Sequence, residues 1–347
     1  MNTAVFCVHR DNPDPRAVKA AGAMLREGRL VAFPTETVYG LGANALDEAA
    51  VESIFRAKGR PQDNPLIVHI ADAADARRYV RAVPEGAAAL FKRFWPGPLT
   101  VVLPKSPAVP DIVSAGLDTV GLRMPSHPVA LALIRAAGIP VAAPSANVSG
   151  RPSPTCAAHV LEDLDGKIDA VVDGGSCDIG VESTVVSLCE DEPVLLRPGR
   201  VTPEELISVL GSLRQDDAVT RETAPEAAPR APGMKYRHYA PRARLILVRG
   251  SEQAARSRIL AEARLAPGPV GVLCFDGETD RYPGMTAISY GDRDDALSLA
   301  KRLFAALRAL DQTGCRTVYA RCPDDRGMGL AVYNRILKAA GFEVIDA

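Results

Sequence analysis

No segment of the 347-residue chain reaches the roughly 18 uninterrupted apolar residues of a membrane span. The opening MNTAVFCVHRDNPDP also lacks a basic n-region and a long enough apolar run for a signal peptide, so a cytoplasmic location is expected. An excess of positive charge is missing too. Lysine and arginine number 41 against 42 acids, a net charge of −1, which leaves no global field to grip a nucleic-acid backbone by counterion release. Paired cysteine patterns are absent: Cys7, Cys156, Cys177, Cys189, Cys274, Cys315 and Cys322 are odd in number, scattered, and form no C-x-x-C. That excludes a disulfide framework or a zinc knot, and most read as small buried hydrophobes. The five histidines form no H-x-x-x-H or H-E-x-x-H, so no metal site built from protein side chains is expected. There is no G-x-S-x-G elbow and no catalytic cysteine–histidine pattern.

What remains is an ordinary globular composition, 47% hydrophobic, 24% charged and only 5% aromatic. The length is comfortable for two domains. From residue 29 to about 211, β-rich runs (RLVAF, LIVHI, LTVVL, TVGLRM, PVAA, AVVD, STVVSL) alternate with helical patterns (LDEAAVESIFRAK, EGAAALFKRF, PVALALIRAAG, CAAHVLEDL), which predicts an α/β domain. A T-x-x-E capping box at Thr202 and Glu205, with Pro203 between, predicts the helix PEELISVLG that closes it. Residues 212–233 carry no hydrophobic periodicity and read as a linker. Beyond them RLILV, SEQAARSRILAEARL, PVGVLCF, TAISY, DDALSLAKRLFAALRAL, TVYA, AVYNRILKAAG and FEVID predict a smaller open α/β sheet with right-handed crossovers.

FPTETVYGLGANA, residues 33–45, scans as the G-x-G-x-x-A of a dinucleotide turn. Pro34 interrupts the approach, however, and the basic KGRPQDNP follows where a ribose-binding acid would stand. No Lys-Ser or Lys-Thr makes it a P-loop. The alternative is a strand ending in a glycine turn, with Thr35 and Thr37 satisfying backbone groups. Other loops look built for an anion. Lys58 and Arg60 end a predicted helix that Pro61 forbids to continue, although a cation there also suits the helix dipole. Arg123 lies in an otherwise apolar strand and needs a partner, either a ligand carboxylate or a structural carboxylate. APSANVSGRPSPT is a rigid, hydroxyl-rich loop after a buried strand, the place where open α/β sheets bind ligands. LLRPGR adds Arg197 and Arg200. Several cations with little acid–base machinery suit phosphoryl or nucleotidyl transfer, where catalysis is mostly alignment and charge stabilisation.

The ordered motifs PTETVYGLG, KGRPQDNPLIVHI, WPGPLTVVL, VGLRMPSHP, APSANVSGRPSPT, GVESTVV, LLRPGR and APGMKYRHYAP closely resemble the Sua5/YrdC/YciO family in its two-domain Sua5 form, over nearly the whole chain. The resemblance implies a YrdC-like domain with a twisted mixed sheet at 1–211 and a smaller Rossmann-like C-terminal domain at 242–347, joined by a linker at 212–241; Tyr236, His238 and Tyr239 of that linker are candidates for a lid over the active site, with a simple domain tether as the alternative. It implies synthesis of L-threonylcarbamoyladenylate from L-threonine, bicarbonate or CO2, and ATP, with release of pyrophosphate. A partner transferase would then pass the group to adenosine 37 of tRNAs reading ANN codons, so that this chain itself binds tRNA weakly or not at all. By the same resemblance Thr35, His69, Arg123, Ala143 and Ser183 form the threonine site. Lys58, Arg60, Thr119, Ser145, Asn147, Ser153, Arg197 and Tyr236 line the ATP site, with Lys58, Arg60, Ser145 and Asn147 catalytic. Mg2+ would arrive with ATP, and no organic cofactor is expected. Two other readings stay open: a related carbamoyl-adenylating enzyme, whose acylphosphatase-like region and C-x-x-C zinc motifs are absent here, and a non-catalytic RNA-binding module, which tRNA binding without ATP consumption would favour.

Overall fold

Short β-branched runs form the strands and amphipathic stretches the helices of a chain for which the computed structural model describes residues 2–222, 229–232, 234 and 239–347. Two compact units result. Among the described residues the first holds 2–149, 153–219, 229–232 and 234, and the second 150–152, 220–222 and 239–347.

In the first unit the strands are β1 (Ala4–Cys7), β2 (Val31–Phe33), β3 (Gly40–Asn44), β4 (Ile67–His69), β5 (Leu99–Pro104), β6 (Thr119–Arg123), β7 (Val141–Ala142), β8 (Ala170–Asp173), β9 (Thr184–Ser187), β10 (Val194–Arg197) and β11 (Arg214–Gln215). The helices are α1 (Pro15–Arg26), α2 (Glu48–Lys58), α3 (Ala76–Tyr79), α4 (Glu85–Phe94), α5 (Asp111–Ser114), α6 (Pro128–Ala137), α7 (Ala157–Leu164) and α8 (Pro203–Leu210). The strands join in one mixed sheet of order β1-β8-β2-β3-β7-β4-β6-β5-β9-β10-β11. Helices α1 and α6 cover one side over a core of Leu25, Val31, Phe33, Val129, Leu133, Val141 and Val172. The capping box at Thr202 and Glu205 forms as the sequence predicts, with Glu205 accepting from the Thr202 N–H at 2.8 Å.

β1, α1, β3, α3, α5, β10 and β11 go beyond the elements the sequence pattern predicts. GLGAN is itself a strand, so the two glycines form no phosphate turn. A Cβ on Gly42 would stand 2.9 Å from both Phe33 Cε1 and Val141 Cγ1, which is why that position of β3 carries no side chain. The segment read as a linker is also partly docked. Ala218, Ala231 and Met234 pack with Val102, Val185, Val194 and Leu196 of the first unit, a contact too sparse to leave a periodic pattern.

The second unit contains β12 (Arg244–Arg249), α9 (Glu252–Leu265), β13 (Val270–Cys274), β14 (Thr286–Ser289), α10 (Ala296–Asp311), β15 (Thr317–Arg321), α11 (Gly329–Ala339) and β16 (Val344–Asp346). Its five strands are all parallel, in the order β14-β13-β15-β12-β16. Helix α9 packs on one face of this sheet, whereas α10 and α11 pack together. Among the described residues no helix is long and apolar enough to cross a membrane.

Candidate active site

Because the first sheet is mixed, it has no single carboxyl edge, and its candidate residues gather on a face instead. Register decides which side chains share that face. Ile67 and His69 of β4 stand opposite Gly121 and Arg123 of β6, Gly121 stands opposite Val102 of β5, and Thr100 pairs with Val185 of β9. Alternation then puts Thr119, Gly121 and Arg123 on one side with Thr100, Val102, Ile67 and His69. Thr119 and Arg123 lie about 13 Å apart along the strand at ~3.3 Å per residue. Between them Gly121 keeps the floor bare, since a Cβ there would sit 3.1 Å from Thr100 Cγ2. A bulge between Leu195 and Arg197 sets Arg197 opposite Val185, re-aiming it as bulges do.

At one end of this face lies a buried ion pair. Arg123 Nη2 donates to Glu36 Oε1 at 2.8 Å, and its Nε to the Gly97 carbonyl at 3.4 Å. Both side chains are about 95% buried, and Glu36 Oε2 has no hydrogen-bond partner among the described residues. An orphaned, buried carboxylate oxygen is costly, which marks it as waiting for a donor. The PTET turn holds Glu36 in place. Thr35 Oγ1 donates to the Val38 carbonyl at 2.6 Å and accepts from the Thr37 and Val38 N–H groups, each at 3.2 Å. The Thr35 hydroxyl is thus largely engaged in its own turn, and Glu36, which the sequence analysis passed over, is the group that faces Arg123. Only its place between two threonines of an apolar segment hinted at this.

At the other end, Lys58 joins two motifs. Gly59, in the left-handed region at φ 61°, caps α2, and the Arg60 N–H returns to the Phe55 carbonyl at 2.9 Å. The Lys58 ammonium donates to the backbone carbonyls of both Ser145 and Asn147. Its own carbonyl accepts from Ser149 at 2.9 Å, and a β-bridge ties Ser145 to Gly40. Arg60 Nη2 donates to the carbonyls of Asn64 and Pro65 at 3.3 and 3.2 Å. The cations predicted to neutralise phosphate thus also shape the loops around them.

The remaining candidates form a third group. Ser153 donates to Glu182 at 2.5 Å. Ser183 shares a hydrogen bond with Thr100 at 2.8 Å and accepts from Arg197 Nη2 at 3.1 Å, while Arg197 Nε donates to the Ser183 carbonyl at 3.0 Å. Arg197 Nη1 reaches the Pro232 carbonyl at 3.1 Å, so the segment after α8 touches the site. Thr119 lines a small cavity with Thr100, Gly121 and Arg230–Pro232. The Ala143 N–H donates to the Ile67 carbonyl at 3.0 Å, beside His69. Tyr236 and His238 lie outside the described residues. Tyr239 belongs to the second unit, where it stacks on Phe304 at 5.1 Å.

Burial sets the electrostatics. Desolvation, reinforced by Arg60, pushes the Lys58 ammonium well below its usual range, while Asp163 and Glu182 pull the other way. Burial and then the charge of Arg123 lower His69 to about 3. Burial, with a contribution from Arg10, lowers His127 to about 4. Both imidazoles are therefore neutral at pH 7, whereas the unfolded chain would protonate them near pH 6.5. Because their folded values are depressed, the unfolded state binds more protons below that pH and stability falls as pH drops. Each imidazole should contribute about 1.4 kcal/mol per pH unit below its unfolded value. Urea midpoints measured from pH 6.5 to 5, above the usual carboxylate range, should fall steadily, and His127→Asn should remove about half the slope. A flat profile would contradict neutral burial of these rings.

Comparison with known proteins follows the same lines. Residues 23–199 match the Sua5/YciO/YrdC family model, described as telomere recombination, and residues 201–341 match the C-terminal domain of threonylcarbamoyl-AMP synthase. The chain is 49% identical over 342 residues to the threonylcarbamoyl-AMP synthase of Pyrococcus abyssi, covering 97% of each chain. It is 49% identical over 333 residues to that of Bacillus subtilis, covering 96% of this chain and 95% of the relative. The crystal structure of P. abyssi Sua5 complexed with L-threonine superposes with a TM-score of 0.94 at 49% identity, covering 99% of this chain and 100% of that one.

Proposed function

We infer the function from one premise: this chain belongs to the Sua5/YciO/YrdC family and carries the C-terminal domain of threonylcarbamoyl-AMP synthases. It is an L-threonylcarbamoyladenylate synthase, a nucleotidyltransferase serving the threonylcarbamoyl modification of tRNA. The observation that carries this for the chain's own residues is the pairing, on one sheet face, of an amino-acid-binding end with an anion-binding end. At the first, Arg123 has donors left for a carboxylate and Glu36 Oε2 is an open acceptor for an ammonium group. At the second, Lys58, Arg60, Ser145 and Asn147 converge.

In the reaction we propose, threonine lies with its carboxylate on Arg123 and its amine beside Glu36. Ser183, His69 and the Ala143 backbone bound the pocket, with Thr35 fixing the turn. The ammonium gives up one proton to Glu36, and its nitrogen bonds to the carbon of bicarbonate or CO2; with CO2 the nitrogen sheds a second proton to solvent as the bond forms. The product is a carbamate, with water lost in the bicarbonate case. A carbamate oxygen then bonds to the α-phosphorus of ATP as the bond from that phosphorus to the β-phosphate bridging oxygen breaks, releasing pyrophosphate. Lys58, Arg60, Thr119, Ser145, Asn147, Ser153 and Arg197 orient the triphosphate. Among the described residues no three His, Cys, Asp or Glu side chains gather to hold a metal. Magnesium would arrive with the ATP substrate and shield its phosphate charge. All seven cysteines are free, which agrees with a reducing, cytoplasmic setting for the reaction and for the transferase that would consume its product.

Pyrophosphate release should require ATP, threonine and bicarbonate together and yield an adduct with the mass of threonylcarbamoyl-adenylate. Release indifferent to threonine would overturn the assignment. The segment after α8 has its own test. Ending the chain after Gly211 uncovers the apolar part of the face and removes Pro232 from Arg197, so turnover should drop at least ~10-fold if closure keeps water from the labile carbamate. A fragment with full turnover would deny that segment any part in closing the site.

A further inference from the structure

We propose that the second unit binds a nucleotide at the carboxyl ends of its parallel strands, in a site separate from the chemistry of the first unit. A cleft of about 570 Å³ opens there, lined by the turn after β12 (Arg249–Glu252), the turn after β15 (Arg321–Arg326) and the segment before α10. Its volume is that of a ligand pocket rather than a surface dimple. The topology also points to this place. Adjacent strands β12 and β15 send their chains to opposite faces, to α9 and α11, and the crevice at such a switch point is where open parallel sheets bind ligands.

The walls favour a phosphate. Residues Gly327-Met328-Gly329 lead β15 into α11, and a Cβ on Gly329 would stand 2.4 Å from the Asp324 carbonyl, so only glycine permits that turn. The N-terminus of α11 has no side-chain cap, and its Met328 and Gly329 line the cleft, the kind of helix end that suits an anion. Beneath them lies a built cationic floor. Arg321, 97% buried, and Arg293 both approach the same buried carboxylate, Glu278, at 3.4 and 2.7 Å, and both guanidinium groups lie over the Phe275 ring. Arg293 also reaches Glu252 at 3.4 Å and Arg321 Nη1 donates to the Glu252 carbonyl at 3.3 Å, so both guanidinium groups are held in fixed positions at the base of the cleft. At the rim, Glu252 is paired with Arg281 and Arg293, and Asp324 with Arg326. Asp325 and Asp294 also line the cleft and suit the hydroxyls of a ribose rather than another phosphate.

Hydrogen–deuterium exchange on the full-length chain tests this. Millimolar AMP should slow exchange in residues 249–254 and 322–332, and the effect should persist in Lys58→Ala, which weakens the first unit's site. It should weaken at least tenfold in apparent affinity in the double variant Arg249→Glu/Arg326→Glu, whose side chains are exposed and do not threaten the fold. Unchanged exchange at both turns with AMP, ATP and pyrophosphate would overturn the proposal. Equal protection by pyrophosphate would keep the phosphate site and remove the nucleoside part. Protection by tRNA alone would overturn it in favour of an RNA-binding surface. Since the readout lies in the second unit, loss of the synthase assignment would leave it unaffected.

Discussion

Replacing Lys58 by alanine should lower threonine-dependent pyrophosphate release by at least ~100-fold, the usual cost of losing a group aimed at developing charge in a dry site. The structure makes the loss double. Lys58 Nζ holds the carbonyls of Ser145 and Asn147, so alanine would remove a cation and also leave two backbone oxygens without their donor. Burial has already pushed the ammonium well below its ordinary value, so its charge is sustained in part by nearby Asp163 and Glu182. Lys58→Met separates the two roles, because it keeps the stem and its packing while losing the charge. Both variants should be comparably inactive in single-turnover assays, and the apparent Kd for ATP should rise in each. Methionine should preserve the melting temperature better than alanine. Near-normal turnover in Lys58→Met would show that the residue serves the loop alone.

Much of this site is legible in the sequence because its parts are local. Lys58 and Arg60 end a helix that Gly59 and Pro61 terminate, and Ser145 and Asn147 sit in a proline-punctuated loop, so their chemistry shows in spacing alone. Their relation does not, since the Lys58-to-Ser145 bond spans 87 residues. The same limit hid β3. Two glycines within a strand look like a turn until Phe33 and Val141 are seen to fill the space they leave. A ligand at a strand's carboxyl end, as the hydroxyl-rich loop suggests in sequence, is a rule for open parallel sheets. That rule describes the second unit's cleft, whereas in the first unit antiparallel pairs at β2–β3, β3–β7, β4–β7 and β5–β6 move the gathering of residues to the sheet's face. Edge strands β1 and β11 escaped notice because four and two residues make no pattern.

Glu36→Gln should cost at least ~100-fold in kcat/KM for threonine while leaving the KM for ATP within about threefold, a split expected when one end of a two-ended site loses its charge. Arg123 needs a carboxylate when threonine is absent, because an uncompensated buried guanidinium is strongly unfavourable. Glu36 supplies it through Oε1 and leaves Oε2 open. When threonine binds, its carboxylate adds a second acceptor on the arginine, and its ammonium meets the open oxygen. Glutamine preserves the shape and can still accept from Arg123 through its amide oxygen. It would, however, turn an NH2 group toward the ammonium, replacing an attraction with a repulsion and removing the proton acceptor. The variant should therefore bind threonine more weakly by calorimetry, and its rate should recover toward high pH as solvent deprotonates the amine. A merely structural carboxylate would instead lower the melting temperature and affect both substrates alike, without that pH-dependent recovery. Unchanged threonine kinetics in a folded Glu36→Gln protein would reduce Glu36 to a counter-ion and leave the amine to be deprotonated elsewhere.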